Sequence, residues 1–175
     1  MRTTDRLLLR PFRDEDLPDW AAMNADPEVM QYLGQPLSRA QSDRIAEGVN
    51  AQYVAEGIGF LAIERRSDGA LLGAGGLQRE PWYPDDMELG WRLAREYWGH
   101  GYATEAAASW LEHAFTERSL PRVISITDTP NLRSIAVMKR IGMTFDHAAE
   151  LEEDGTTFEA TIYSITAAAW SGLQH

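Results

Sequence analysis

Apolar positions in the first third of the chain change from a short run to helical spacing. The run at 6–11 is apolar and ends in proline, which predicts a first strand. Acidic residues at 14–16 predict a helix start, and a second start follows at Asp26. Ser38 is a natural N-cap for a longer helix that ends at Gly57. The positions predicted to mark its buried side are Ala40, Ile45, Val49, Tyr53 and Val54.

The middle of the chain is rich in predicted strands. Apolar runs at 59–64 and 71–77 flank a turn at Asp68-Gly69, which is a hairpin pattern. A third apolar run, 87–93, is followed by a glycine-containing connection and then by helical spacing from Ala103.

The last third predicts a strand, a helix and a hairpin. The strand is 123–127, and Asn131 is a natural N-cap for the helix after it. Runs at 143–151 and 156–165 predict a hairpin around Asp154-Gly155, and we expect Trp170 of the tail to pack on the body. This order of elements predicts a mixed sheet with helices on both faces.

Composition predicts a single domain, residues 1–175, with a core of about 6–170. No apolar run is long enough to cross a bilayer, and the N-terminus lacks a signal-peptide core, so we expect a cytoplasmic protein without a membrane partner. The chain has no cysteine and four scattered histidines, which gives no support for a metal site. A net charge of −11 opposes nucleic-acid binding; it either favours cationic partners or serves solubility alone.

The connection after the run 87–93 has the composition of an anion-binding loop. Gly99 and Gly101 let the backbone approach an anion, and amides at the helix start point towards it. Glycine is also used in tight turns for steric reasons alone, so both interpretations stay open. The loop lacks the Gly-Lys-Ser/Thr ending of a P-loop, and Thr104 replaces the third glycine of the dinucleotide fingerprint.

Three ordered stretches carry a family resemblance. They are TDRLLLRP (4–11) with DPEVM (26–30), ELGWRL (88–93) running into YWGHGYATEA (97–106), and NLRS (131–134) with KRIGM (139–143). With these stretches the chain resembles the GNAT superfamily of acyl-CoA-dependent N-acetyltransferases, in particular the branch of ribosomal-protein N-terminal acetyltransferases. The resemblance implies an α/β fold with a mixed, mostly antiparallel central sheet of about seven strands, flanked by helices on both faces. It also implies acetyl transfer from acetyl-CoA to a primary amine, either a protein N-terminus or a small amine.

The resemblance further implies a CoA site. Amides of residues 98–103 would hold the pyrophosphate with help from Thr104, and the strand end at 91–93 would bind the pantetheine like an added strand. Asn131 would contact the pantetheine, as well as capping its helix, and two basic residues would reach the adenosine phosphates. The implied cofactor-binding residues are Trp91, Arg92, Leu93, Trp98, Gly99, His100, Gly101, Tyr102, Ala103, Thr104, Asn131, Lys139 and Arg140. For His100 the alternative is a solvent-facing side chain.

Two positions depart from the family pattern. Glu96 stands where many members have Gln or Arg, and we expect it to turn away from a pyrophosphate that would repel it. Met138 stands where many members have a Tyr that protonates the departing thiolate, and a thioether cannot donate a proton. Ser134 or solvent would then supply that proton; the alternative for Ser134 is an ordinary first-turn serine.

Glu88 is the candidate general base, acting directly or through water. The amine arrives protonated at neutral pH, so a group must accept its proton, and a partly buried carboxyl can have a raised pKa. The alternative for Glu88 is a solvated carboxylate on the face of a strand. Amides near Gly90 and Trp91 would polarise the carbonyl. Because the chain lacks cysteine, direct attack in a ternary complex is favoured over a thiol acyl-enzyme.

The acceptor is less well defined by the sequence. Candidate lining residues, for which the alternative is the core, are Trp20, Met30, Tyr32, Trp82 and Tyr83. The acidic segment 150–154 would draw a cationic amine, or it is simply a solvated turn. Two other classes stay open: a catalytically inactive acyl-CoA-binding sensor or partner module, and a nucleotide-binding domain of another kind. A homodimer is expected only by analogy with the family branch.

Overall fold

The computed structural model describes residues 1–153 and 155–173. Its strands are β1 (Arg2–Thr3), β2 (Leu7–Arg10), β3 (Phe60–Arg65), β4 (Leu71–Gln78), β5 (Met87–Leu93), β6 (Arg122–Asp128), β7 (Thr144–Glu153) and β8 (Thr156–Thr166). Its helices are α1 (Leu17–Ala25), α2 (Pro27–Met30), α3 (Arg39–Glu56), α4 (Tyr102–Thr116), α5 (Leu132–Arg140) and α6 (Ala167–Leu173). Short 3-10 turns lie at Asp14–Asp16 and Arg95–Tyr97. None of the helices in this part of the chain has the length and apolar content that a bilayer crossing requires.

The strands form one sheet in the order β1-β2-β3-β4-β5-β6-β8-β7. The pairing of β5 with β6 is parallel, whereas β1–β2, β2–β3, β3–β4, β6–β8 and β7–β8 are antiparallel. The mixed, mostly antiparallel sheet is therefore confirmed. The strand that the sequence did not predict is β1, which has only two residues and so too few for an alternating pattern.

The chain packs as two compact units, of which the first comprises Met1–Gly76 and Trp91–Ser109. Its core joins side chains of α1, α2, α3, β3 and β4 with one from the segment after β2. These residues are Phe12, Trp20, Met23, Val29, Ala46, Ala62, Leu71 and Ala74. Arg10 is also buried in this unit, where it donates two hydrogen bonds to Asp16, of 2.6 and 2.9 Å, and one to Glu64, of 2.6 Å. These two carboxylates offset the loss of hydration of the buried guanidinium.

The buried side of α3 differs from the prediction. Ile45 and Val54 are exposed, with 37% and 85% of their surface accessible, whereas Ser42 is fully buried. The physical reason is hydrogen bonding. The carbonyl of Ser42 accepts from the indole of Trp20 at 3.0 Å, and its hydroxyl accepts from Asn24 at 3.2 Å. A polar residue thus occupies a position towards the core, which an apolar periodicity cannot reveal.

The second unit comprises Leu77–Gly90 and Trp110–His175. Its hairpin, β7 with β8, agrees with the predicted one; Gly155 of the turn has φ +76°, and Asp154 lies outside the described residues. An apolar cluster joins Ala160 and Ile162 of this hairpin to Ile124 of β6. Trp170 packs on Phe115 with 5.4 Å between ring centroids, so the prediction that Trp170 packs on the body is confirmed.

Candidate active site

The glycine-containing connection lies between a strand and a helix, as predicted. Gly99 and Gly101 have φ of +79° and +81°, a region in which a side chain would be strained. The hydrogen-bond ladder of α4 starts with the amide of Glu105 donating to the carbonyl of Gly101 at 3.0 Å. The amides of residues 102–104 therefore precede the ladder, at the positive end of the helix dipole.

The loop is open at its first glycine. A Cβ added at Gly99 would meet no atom within 4 Å, and His100 beside it is exposed. The same atom at Gly101 would come within 3.4 Å of the Arg6 guanidinium. The backbone at Gly99 is consequently open on the side where a side chain would lie.

An ion pair holds this loop in place, and sequence reasoning missed it. Arg6 donates to the carbonyl of His100 at 3.0 Å and to the carboxylate of Glu105 at 2.6 Å, and its guanidinium lies 4.6 Å from the ring centroid of Tyr102. Burial alone would raise the pKa of Glu105, but hydrogen bonds from Thr4 and Arg6 outweigh it and hold that pKa below its usual range. No local pattern links residues so far apart, so the sequence offered no indication of the pair.

The end of β5 is tied to the same unit by side chains. The indole of Trp98 donates to the carbonyl of Leu93 at 2.9 Å. The guanidinium of Arg92 donates to Asn24 at 2.7 Å and lies 5.5 Å from the ring centroid of Trp20. The side chain of Arg92 therefore packs on α1. In a CoA site, Arg92 would accordingly act through its backbone and not through its guanidinium.

Glu96 is exposed and hydrogen-bonds with the side chain of Tyr97. It lines a cavity of about 490 Å³ together with Asp19 and Asp26. Because three carboxylates would repel a phosphate, this cavity is a poor site for a pyrophosphate.

Glu88 is buried in the second unit, with only 5% of its surface accessible. In the parallel pairing of β5 with β6, the paired residues of β5 are Met87 and Glu88. The carbonyl of the next residue, Leu89, accepts a 2.8 Å hydrogen bond from the hydroxyl of Ser125. The alternative of a solvated carboxylate on the strand face is therefore wrong.

The surroundings of Glu88 favour its neutral form. Burial, followed by the charge of Glu80, raises the pKa of Glu88 to about 8. Two hydrogen bonds act in the opposite direction: Gln78 donates to Oε2 at 2.9 Å, and the amide of Ile126 donates to Oε1 at 3.4 Å. A carboxyl with this pKa can both accept and release a proton near neutral pH.

Asn131 caps α5, as predicted. Its Oδ1 accepts from the amide of Ser134 at 3.2 Å, and its Nδ2 donates to the hydroxyls of Thr127 at 3.0 Å and Ser134 at 3.2 Å. The hydroxyl of Ser134 accepts in this contact, so its own proton is not consumed by the bond. Met138 is buried, with 1% of its surface accessible, while Lys139 and Arg140 are exposed.

Two of the candidate acceptor-lining residues are part of the core. Trp20 and Met30 have 1% and 2% of their surface accessible, so the prediction that they line an open site is wrong. Trp82 and Tyr83 are half-buried and contact β7, the first through a 3.2 Å bond from its indole to the carbonyl of Glu152. Tyr32 is also half-buried.

A chain of hydrogen bonds in the second unit was not predicted. The hydroxyl of Tyr83 lies 2.7 Å from His147 Nε2, and His147 Nδ1 lies 2.6 Å from the carboxylate of Asp146. The hydrogen bond with His147 is the main reason that the pKa of Asp146 is lowered; Arg122, 3.2 Å away, acts in the same direction. In the described part of the chain, no cluster of three His, Asp or Glu side chains is arranged to hold a metal ion.

Known proteins share this sequence and fold. Residues 6–144 match the family model described as "Acetyltransferase (GNAT) domain". The chain is similar to YnaD of Bacillus subtilis (strain 168), named as an N-acetyltransferase, at 31% identity over 145 residues that cover 81% of each protein. It is also similar to YdaF of the same bacterium, named as a ribosomal N-acetyltransferase, at 31% identity over 107 residues, 60% of this chain and 58% of YdaF. An acetyltransferase structure from Agrobacterium tumefaciens superposes with a TM-score of 0.80 at 31% identity, covering 94% of this chain and 92% of that one.

Proposed function

The chain belongs to the GNAT family of acetyltransferases and is an acyl-CoA-dependent N-acetyltransferase, and on this premise we propose that it transfers the acetyl group of acetyl-CoA directly to a primary amine. The observation that carries the mechanistic part is Glu88, a buried carboxyl whose pKa is raised to about 8. Similarity to YdaF, named as a ribosomal N-acetyltransferase, supports a ribosomal protein as the acceptor. A small amine is the other acceptor class.

The loop of residues 98–104 is the proposed holder of the CoA pyrophosphate. Three features support this role: the open backbone at Gly99, the amides that precede the first hydrogen bond of α4, and the positive end of the dipole of that helix. We assign the pantetheine to the backbone of residues 91–93 and to Asn131, and the adenosine phosphates to the exposed cations Lys139 and Arg140.

Glu88 is the proposed base. As the amine nitrogen bonds to the acetyl carbon and the carbon–sulfur bond breaks, the amine proton passes to the Glu88 carboxylate, directly or through water. A base with a pKa of about 8 matches an α-amino group, whose pKa is roughly 7.7–8.0, more closely than an alkyl amine, at roughly 10.4. This match favours a peptide N-terminus over a lysine-like acceptor.

The thiolate needs a proton from another group. Met138 is buried and cannot donate one, so the proton comes from solvent or from the hydroxyl of Ser134. Ser134→Ala distinguishes the two: a fall in kcat with an unchanged KM for acetyl-CoA would assign the proton to Ser134, and an unchanged kcat would assign it to solvent.

The loop assignment has a matched control within the chain. Gly99 and Gly69 have φ of +79° and +76°, and an added Cβ meets nothing within 4 Å at either position. Gly99→Ala and Gly69→Ala should therefore lose similar stability, about 1 kcal/mol each. Only Gly99→Ala should weaken binding of acetyl-CoA in a calorimetric titration. Equal affinities in the two variants would remove the loop from the CoA site.

The reaction is tested by release of free thiol from acetyl-CoA with a panel of peptides and small amines. The chain has no cysteine, so the protein adds no thiol background. Amine-dependent release is expected, with the strongest response from peptides with free N-termini. Binding of acetyl-CoA without release on any amine would instead support the inactive binding module.

A further inference from the structure

One side-chain amide joins two carboxyl groups in the second unit. Gln78 Nε2 donates one proton to Glu80 Oε1 at 2.8 Å and the other to Glu88 Oε2 at 2.9 Å. Because both bonds use the same nitrogen, the two oxygens lie within twice a hydrogen-bond length of each other. Like charges at such a separation interact strongly where water is excluded.

The backbone of the three residues is fixed independently of this bond, so the bond positions only their side chains. Gln78 is the last residue of β4, and Glu88 lies on β5. Glu80 lies in the connection between them, where its carbonyl accepts from the amide of Tyr83 at 3.1 Å. Tyr83 is in turn held to β7 by His147, 2.7 Å from its hydroxyl.

We propose that Gln78 is a positioning residue that clamps Glu80 beside Glu88, and that the charge of Glu80 thereby sets the pH at which Glu88 accepts the proton of the attacking amine. This inference rests on the proposed role of Glu88 as the base. The charge of Glu80 adds to burial in raising the pKa of Glu88.

The groups that face the pair come from every neighbouring element. The pKa of Glu88 is raised by burial and then by the charge of Glu80 from the connection. It is lowered by the hydrogen bonds from Gln78 of β4 and from the amide of Ile126 of β6. Glu80 has its pKa raised by burial and then by the charge of Glu153 from β7, against the hydrogen bond from Gln78. The amide of Gln78 is thus shared by two carboxyl groups, and a third carboxylate, that of Glu153, acts on Glu80 through its charge.

The experiment is a double-variant cycle with Glu80→Gln and Gln78→Leu, alone and combined. Its readouts are the midpoint of the acidic limb of the pH profile of kcat/KM and the 13C titration of the Glu88 carboxyl, whose resonance is identified by its loss in Glu88→Gln. Glu80→Gln should move both midpoints down by about one pH unit. In the Gln78→Leu background the same change should move them by less than half as much, because Glu80 is no longer held. Glu159→Gln, an exposed carboxylate on β8, is the control and should move neither.

Two results would overturn the proposal: midpoints that Glu80→Gln leaves unmoved, or equal movements with and without Gln78. A failure of the proposed role of Glu88 as the base would give results that differ from these two. If Glu88 is not the base, Glu88→Gln keeps its activity, while the 13C titration still reports whether Gln78 couples the two carboxyls.

Discussion

Replacing Glu88 by Gln should stabilise the protein at alkaline pH. The pKa of this carboxyl rises from an ordinary value of 4.5 to about 8 on folding. For an acid with a raised native pKa, the neutral form is favoured by folding, so stability is present below pH 4.5 and is lost as the pH rises through 8. One pH unit corresponds to about 1.4 kcal/mol, which makes the full loss about 5 kcal/mol. Because Gln stays neutral, Glu88→Gln does not suffer this loss.

The assay is urea unfolding of the two proteins at pH 5 and pH 9. Between pH 5 and pH 9 the gap in unfolding free energy should move in favour of the variant by about 4 kcal/mol. Groups other than Glu80, whose charge acts on Glu88, titrate equally in both proteins, so they cancel in the gap. Glu159→Gln, which removes an exposed carboxylate, should show no pH-dependent gap. A gap for Glu88→Gln that stays the same at both pH values would refute the reasoning that burial raises this pKa.

Four further predictions concern the first unit. Asp16→Asn should lower the unfolding free energy by about 3 kcal/mol at pH 7, because it breaks a buried ion pair. The pKa of Asp16 is lowered because hydrogen bonds, chiefly from Arg10, outweigh the effect of burial. The loss caused by the substitution should therefore shrink in acid unfolding curves below pH 3.8. Gly76→Ala would place a Cβ 1.8 Å from a backbone oxygen and should lower the thermal midpoint, at a loss of about 3 kcal/mol. Gly48→Ala, with open space on α3, should instead raise the midpoint through a gain of about 1 kcal/mol. Glu105→Gln weakens the hold on Arg6 and should raise the calorimetric Kd for acetyl-CoA about tenfold, an effect of about 1.4 kcal/mol; an unchanged Kd would show that the loop does not need this support.

The sequence was sufficient where structure depends on neighbours along the chain. The two glycines at 99 and 101 predicted a turn between a strand and a helix, and in that connection both have positive φ. Asn131 was predicted as an N-cap and accepts from the amide of Ser134. Ser38 likewise caps α3, accepting from the amide of Gln41. Each of these features needs only residues within a few positions of one another.

It was insufficient where side chains meet from distant positions. The burial of Glu88 depends on Gln78 and β6, and its alternative as a solvated residue had the same sequence pattern. Trp20 is aromatic, so its sequence pattern fits either a binding wall or a core. Its burial among Phe12 and Met23 places it in the core. Where the sequence pattern of a residue fits two roles equally well, its contacts with residues distant in the sequence therefore determine which role it takes.

The most direct test of the account is the turnover of Glu88→Gln with the amine that responds best. Thiol release is measured at saturating acetyl-CoA across neutral and alkaline pH, and the Kd for acetyl-CoA is measured in parallel. The account predicts that kcat falls by about 10²- to 10⁴-fold while the Kd stays within about twofold. Unchanged turnover over this pH range, with the same Kd, would contradict the assignment of Glu88 as the base.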